Sequence, residues 1–361
     1  MPHAEPGPVR PAGRPTMRDV AALAGVAIKT VSRVVNGVST VDPVLAARVR
    51  EAADKLGYRP NLTASNLRRS DGRTATIGML VEDAANPFSA ALMRAVEDTA
   101  RERDVLALFG SLDEDATRER ELAGAFIDRR VDGLLIVPAG QDHSYLIKER
   151  AAGTCLVFVD REPKLLDADA VLSDNRTGAI NAVDHLLAGG HRRIAYLGDR
   201  LSISTAAQRF DGFRHALELA RLKADEQLIW HEASSERAAI EATERMLRLP
   251  DPPTALFTGQ NLITIGASRA LRALGLQDEV AMVGFDDFPL ADMLRPGITV
   301  VAQDIEALGR LAAETLFRRL DGDTSPTSTR IIPTRLITRG SGEIAAPAAR
   351  GLNSRDRRAA S

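Results

Sequence analysis

Residues 16–37, TMRDVAALAGVAIKTVSRVVNG, carry two short helical patterns around one glycine. Thr16, with Asp19 three residues on, forms a capping-box-like start. Val20, Leu23 and Ala24 share one helix face, which breaks at Gly25; Thr30, Val31, Val34 and Val35 then restart a helical pattern that ends at Asn36-Gly37. Downstream, Asp42-Pro43 supplies an N-cap with proline at the first helical position, and Leu45, Val49, Ala52 and Leu56 recur at helical spacing until Gly57. Three helices in so short a segment lie near the lower size limit of independent stability, so most of the small apolar side chains must be core.

The first two helices have the layout of a helix-turn-helix, whose second helix enters the major groove of DNA. Burying Val26, Val31 and Val34 leaves Ile28, Lys29, Ser32 and Arg33 on the outer face. Lys and Arg can donate to guanine or phosphate, and an Ile can touch a thymine methyl. An ordinary amphipathic helix pair shares this layout, so charge and wider pattern must separate the two.

The whole chain of 361 residues has a net charge of −2. That figure hides a division: residues 1–73 carry 12 Lys/Arg against 6 Asp/Glu, while the remaining 288 carry 35 against 43. A basic head on an acidic body suits contact with a polyanion by the head alone. The opening MPHAEPGPVRPAGRPT lacks the apolar core of a secretory signal, and no apolar run approaches the length of a membrane span. The single Cys155, in the strand-like TCLVFVD, excludes an internal disulfide and reads as a buried thiol in a reducing cytoplasm. The histidines lack ligand spacing, so no metal site is expected.

From residue 75 short apolar runs alternate with amphipathic segments: TIGMLV, VLALF, GLLIVP and CLVFV, and after DAVLSDN again RIAYLG, LIW, TALFTG and VAMVGF. This is the βαβ rhythm of two doubly wound parallel-sheet lobes. Ligands in such sheets bind at the carboxyl ends of the strands. Candidates there are Asn86-Pro87-Phe88, Asp160-Arg161, Asp174-Asn175, Arg209, Gln260-Asn261 and Asp286-Asp287. Carboxylates and amides can bridge adjacent hydroxyls, Arg can anchor an anionic or oxygen-rich group, and an aromatic can stack on a sugar face, so the set suits a polyhydroxylated small molecule.

The wording DVAALAGVAIKTVSRVVNG, REAADKLGYRPNLTASNLRRS, IGMLVEDAANPF, RRVDGLLIVP, VFVDR and VGFDD resembles the lactose-repressor/galactose-repressor family of bacterial transcription regulators, to about residue 340. The resemblance implies a small all-α head joined to a periplasmic-binding-protein-like body of two α/β lobes. It implies DNA contacts from Thr16, Ile28, Lys29, Thr30, Ser32, Arg33, Asn36 and Tyr58. It also implies a hinge helix containing Asn61, Ala64, Leu67 and Arg68, with Leu67 wedging into the minor groove. Effector contacts are implied for Phe88, Asp160, Arg209, Gln260, Asn261 and Asp286. Ala27, where the family usually has Ser, removes a cap at the recognition helix, and Gln260-Asn261 departs from the usual Asn-Asp, which leaves the effector's identity open.

The implied division is a disordered lead over 1–15, the helix-turn-helix over 16–60, the hinge over 61–73 and the body over 74–340, with an unstructured tail over 341–361. Within the body an N-lobe takes about 74–172 and 303–331, and a C-lobe about 173–302 and 332–340. No catalytic motif of the hydrolase, P-loop or dinucleotide-binding kinds is present, which disfavours an enzyme and a bound cofactor. The expected protein is a cytoplasmic repressor that binds a palindromic operator in double-stranded DNA as a homodimer, under control of a sugar-like effector. The alternatives are a free-standing sugar-binding protein and an activator of the same fold.

Overall fold

The computed structural model describes residues 15–35, 40–59 and 73–347, in two compact units, Met1–Thr74 and Ala75–Ser361. In the first, α1 (Met17–Ala24) opens with the full capping box: the Thr16 N–H donates to Asp19 Oδ2 at 2.7 Å, and the Asp19 N–H donates to Thr16 Oγ1 at 3.4 Å. Gly25, at φ 63°, ends the helix in the left-handed conformation that glycine enters without strain. The second helix, α2 (Ile28–Val35), starts on backbone alone, the Ala27 carbonyl accepting from Thr30 and Val31 N–H at 2.8 and 3.2 Å. Asp42 caps α3 (Pro43–Leu56) through Val44 and Leu45 N–H. Val20, Val31 and Val49 close the core, and Arg48 donates to the Ala24 carbonyl at 2.6 Å, tying α3 to the end of α1.

The second unit contains two six-stranded sheets. The first, in the order β11-β5-β4-β3-β1-β2, consists of β1 (Thr76–Val81), β2 (Leu106–Ser111), β3 (Gly133–Ile136), β4 (Cys155–Val159), β5 (Asp169–Ser173) and β11 (Thr329–Ile332). The second, β12-β10-β9-β8-β6-β7, consists of β6 (Ile194–Leu197), β7 (Ile229–Trp230), β8 (Ala255–Thr258), β9 (Ala281–Phe285), β10 (Thr299–Ala302) and β12 (Arg335–Ile337). Every pairing is parallel except β10 with β12. Central strands are buried on both faces, Ile77, Met79 and Val81 of β1 entering one core cluster and Leu80 the other. That explains their unbroken apolar text.

The chain passes between the sheets at residue 174, at 303–304 and at 333–334. These passages are laced together: the Asp174 N–H donates to the Ile332 carbonyl at 2.9 Å, and Thr334 Oγ1 donates to the Asp174 carbonyl at 3.4 Å.

Two expectations need correction. Residues 341–347 do not belong to an unstructured tail. Ser341–Glu343 forms a 3-10 turn on the second sheet, with Ser341 Oγ donating to the Met282 carbonyl at 2.6 Å and Glu343 accepting from Thr299 Oγ1 at 2.8 Å. Small and polar residues dock there without apolar periodicity, which is why pattern reading missed them. Cys155 is half-buried rather than buried, because it opens β4 at the sheet's end.

Candidate functional site

In the first unit Ile28, Lys29 and Arg33 are exposed on α2, with Ile28 45% accessible, while Thr30 and Ser32 are half-buried beside them. An isoleucine left in water on the first turn of an otherwise well-packed helix, next to two cations, fits a surface shaped for a nucleic-acid groove. The Thr16 hydroxyl is committed to Asp19 at 2.7 Å, and Tyr58 packs against the head's core. Asn36, Asn61, Ala64, Leu67 and Arg68 lie outside the described residues.

In the second unit the carboxyl ends of both sheets face a narrow cavity of about 60 Å³. Phe88, Asp160, Arg209, Gln260 and Asp286 all line it. Arg209 projects from α8 (Ser204–Leu219), which packs on α7 (Asn175–Ala188). Its guanidinium is nearly enclosed: Nε donates to Asn175 Oδ1 at 2.8 Å, and Nη1 donates to the Gly259 carbonyl at 2.7 Å and to Asp286 Oδ2 at 3.3 Å. It also lies 3.9 Å over the Phe285 ring. Gln303 Nε2 donates to the other Asp286 oxygen at 2.6 Å, so one of the inter-sheet passages forms part of the wall. Gly212 permits this packing, since a Cβ there would stand 2.5 Å from the Arg176 carbonyl of α7.

Asp160 is buried at the end of β4. Burial raises its pKa, Arg209 and Arg161 pull it down, and the neighbouring carboxylates Asp286 and Glu114 push it further up. Arg161 forms a two-pronged pair with Glu114, at 2.6 and 2.8 Å. Four polar strand-end candidates do not line the cavity: Asp174 caps α7, Asn175 backs Arg209, Asp287 pairs with Arg339 at 2.6 Å, and Asn261 is fully buried. Asn261 opens α10 (Asn261–Ala273), and its Nδ2 donates across to Asn86 Oδ1 at 2.8 Å, joining the two lobes. A second bond across the lobes runs from Gln141 Nε2 to the Ser202 carbonyl at 3.0 Å.

Among the wall residues that the sequence did not single out are Glu82 and Gln303. Each is a polar residue directly after an apolar strand, in TIGMLV-Glu82 and ITVVA-Gln303, the same signal that marked Asp160 and Asp286. Among the described residues no group of three or more His, Cys, Asp or Glu is placed to hold a metal ion, and no helix is long and apolar enough to cross a membrane.

Residues 16–61 match the sequence profile of bacterial regulatory proteins, lacI family, and residues 183–342 match a periplasmic binding protein-like domain. The chain is 35% identical over 339 residues to the HTH-type transcriptional regulator PtxS of Pseudomonas aeruginosa, covering 91% of this chain and 96% of that protein. The chain belongs to the lacI family of bacterial regulatory proteins. Among solved structures, a complex of the transcriptional regulator CelR with cellobiose shares 32% identity at a TM-score of 0.66, covering 91% of this chain and all of that one. The lac repressor dimer bound to operator and the anti-inducer ONPF shares 26% identity at a TM-score of 0.79, covering 91% and 98%. A lacI-family head with a helix-turn-helix and a periplasmic-binding-protein-like body of two parallel α/β lobes therefore describes this chain.

Proposed function

We propose that this lacI-family regulator represses transcription by binding a palindromic operator as a homodimer, under the control of a sugar-like effector held between its two lobes. The observation that carries the effector half is the Arg209–Asp286–Gln303 chain of hydrogen bonds, which draws one wall of a strand-end cavity from a helix, a strand end and an inter-lobe passage. A ligand that touches all three would couple to the angle between the lobes, as effector-dependent DNA affinity requires. The operator half rests on Ile28, Lys29 and Arg33 for base and backbone contact, with Thr30 and Ser32 beside them and Asn36 added by the family resemblance. Asn61, Ala64, Leu67 and Arg68 would pair with the dimer mate in the minor groove, where an apolar wedge bends DNA at a cost offset by extra contacts. The relatives in operator and cellobiose complexes support both halves.

The test is a selection of binding sites from random duplexes by the purified full chain at fixed salt, then a titration of the selected site with and without sugars. Enrichment of an inverted repeat whose affinity changes with one sugar is the expected result. Enrichment of no site at low salt would overturn the proposal.

A further inference from the structure

Glu82 follows β1 at the floor of the cavity and is 6% exposed. Ser89 Oγ donates to its Oε1 at 2.6 Å, but the buried Oε2 has no protein partner among the described residues. Two other wall residues show the same pattern: Asp160 Oδ1 and Gln303 Oε1 are buried acceptors without a protein donor. Buried polar atoms in native folds are almost always paired with protein or water, so three such acceptors around one cavity mark places where a ligand hydroxyl, or the water it displaces, can donate. A single donor, Arg161 Nε, is left in the same condition.

Charge narrows the ligand further. The lining holds five carboxyl side chains against the two guanidiniums of Arg161 and Arg209. Each guanidinium is already opposed by a carboxylate, Arg161 by Glu114 at 2.6 Å and Arg209 by Asp286 at 3.3 Å. An incoming phosphate or carboxylate would thus meet no uncommitted cation and several acceptor oxygens, a like-charge juxtaposition that specificity sites use to reject ligands.

Resting on the reading that the cleft holds the effector, we infer that Glu82 is a ligand-contacting, specificity-determining residue, and that with Asp160 and Gln303 it selects a hydroxyl-rich ligand carrying no anionic group. Neutral sugars and amino sugars fit; sugar phosphates and sugar acids do not. Hydroxyl groups donate to the three acceptors, and one accepts from Arg161 Nε. The burial that pushes the Glu82 carboxyl up to about 7 is relieved when a ligand hydroxyl donates to it.

The experiment is a thermal-shift panel on the full chain at pH 7.5, pairing glucose, ribose and glucosamine with glucose 6-phosphate, ribose 5-phosphate and gluconate. Hits are repeated in Glu82→Gln and Glu82→Leu, with a cooperative melt of each variant as the check on folding. The expected result is stabilisation by at least one neutral or amino sugar and none by its anionic counterpart, with affinity at least about tenfold weaker in Glu82→Leu. Glu82→Gln, which can still offer one acceptor oxygen, lies between. Unchanged affinity in Glu82→Leu overturns the contact. An anion that stabilises more than its neutral parent, and more strongly still in Glu82→Leu, overturns the selectivity while leaving the effector in the cleft. No shift from any compound overturns the cleft reading and this inference with it.

Discussion

Asp160 and Asp286 occupy equivalent positions in the two lobes. Each is the first residue past a central parallel strand, at φ 63° and 68°, and each donates its backbone N–H to a valine carbonyl on the next strand, Val171 and Val301, at 2.9 Å. The left-handed backbone turns both carboxylates toward the cavity. Their electrostatics differ, since Asp286 is bonded to Arg209 whereas Asp160 lacks a protein donor on Oδ1. Equivalent substitutions should therefore act with opposite sign. Asp160→Asn keeps the backbone, removes a carboxylate whose burial outweighs its attraction to Arg209 and Arg161, and should raise the melting temperature at pH 8 without added ligand. Asp286→Asn leaves the buried guanidinium without its countercharge and should cost about 3–5 kcal/mol. Chemical denaturation of both variants checks the pair.

Stability should depend on pH through Glu82. Its folded pKa of about 7 exceeds the 4.5 of an ordinary glutamate because burial outweighs the pull of Arg161 and the Ser89 hydrogen bond, with Asp160 adding to the rise. A raised acid favours the folded state while protonated. The benefit is full below about 4.5 and is lost as pH rises to about 7. At ~1.4 kcal/mol per pKa unit the loss is on the order of 3 kcal/mol. Arg161, Asp160 and Glu114 are the charged groups around it and remain in Glu82→Gln. Urea titrations at pH 6 and 8 should show a smaller difference in Glu82→Gln than in the parent. Equal differences would assign the slope to other groups.

Gly212→Ala should weaken effector binding without touching the cavity. Its methyl would stand 2.5 Å from the Arg176 carbonyl and 2.8 Å from the Ala179 Cβ, so α8 must move away from α7 and carry Arg209 with it. We expect about 1–3 kcal/mol of lost stability, typical of overpacking, together with a weaker ligand-induced melting shift. A full-sized shift would mean that Arg209 adapts.

For operator binding, Leu67→Ser should lower affinity sharply and leave the effector-induced melting shift intact. Lys29→Ala should weaken affinity and reduce the salt slope by about one if it contacts phosphate. Gel-shift titrations across salt concentration separate the two effects.

Much of this protein was legible in its text because the informative signals are local. The capping box at Thr16, the proline after Asp42 and the glycine at position 25 specify backbone bonds within a few residues, and the structure contains each one. Strand-end polarity likewise brought Asp160, Gln260 and Asp286 to one cavity, where Phe88 and Arg209 join them from helices. The misreadings concern partners distant in sequence. Nothing near Asn261 announces that its amide meets Asn86, 175 residues away, and nothing in the text around Ser341 announces the Met282 carbonyl. Glu82 carries the same signal as Asp160 and Asp286, but it stands four residues before the more conspicuous Asn86-Pro87-Phe88, whose Asn86 caps the next helix by accepting from Phe88 N–H at 3.0 Å.

The lacing of the inter-lobe passages has a mechanical consequence. Three connections cross between the lobes, two of them bonded to one another through Asp174, which makes this crossing the natural axis for a hinge between them. Most of the cavity wall sits on the lobes on either side of that axis and can change its chemistry without altering the motion. Among the described residues Gln303 alone is both cavity wall and part of the crossing. On the proposed function, ligand preference can diverge through positions such as Glu82 while transmission to DNA is kept, and substitution of Gln303 is the change that would disturb both at once.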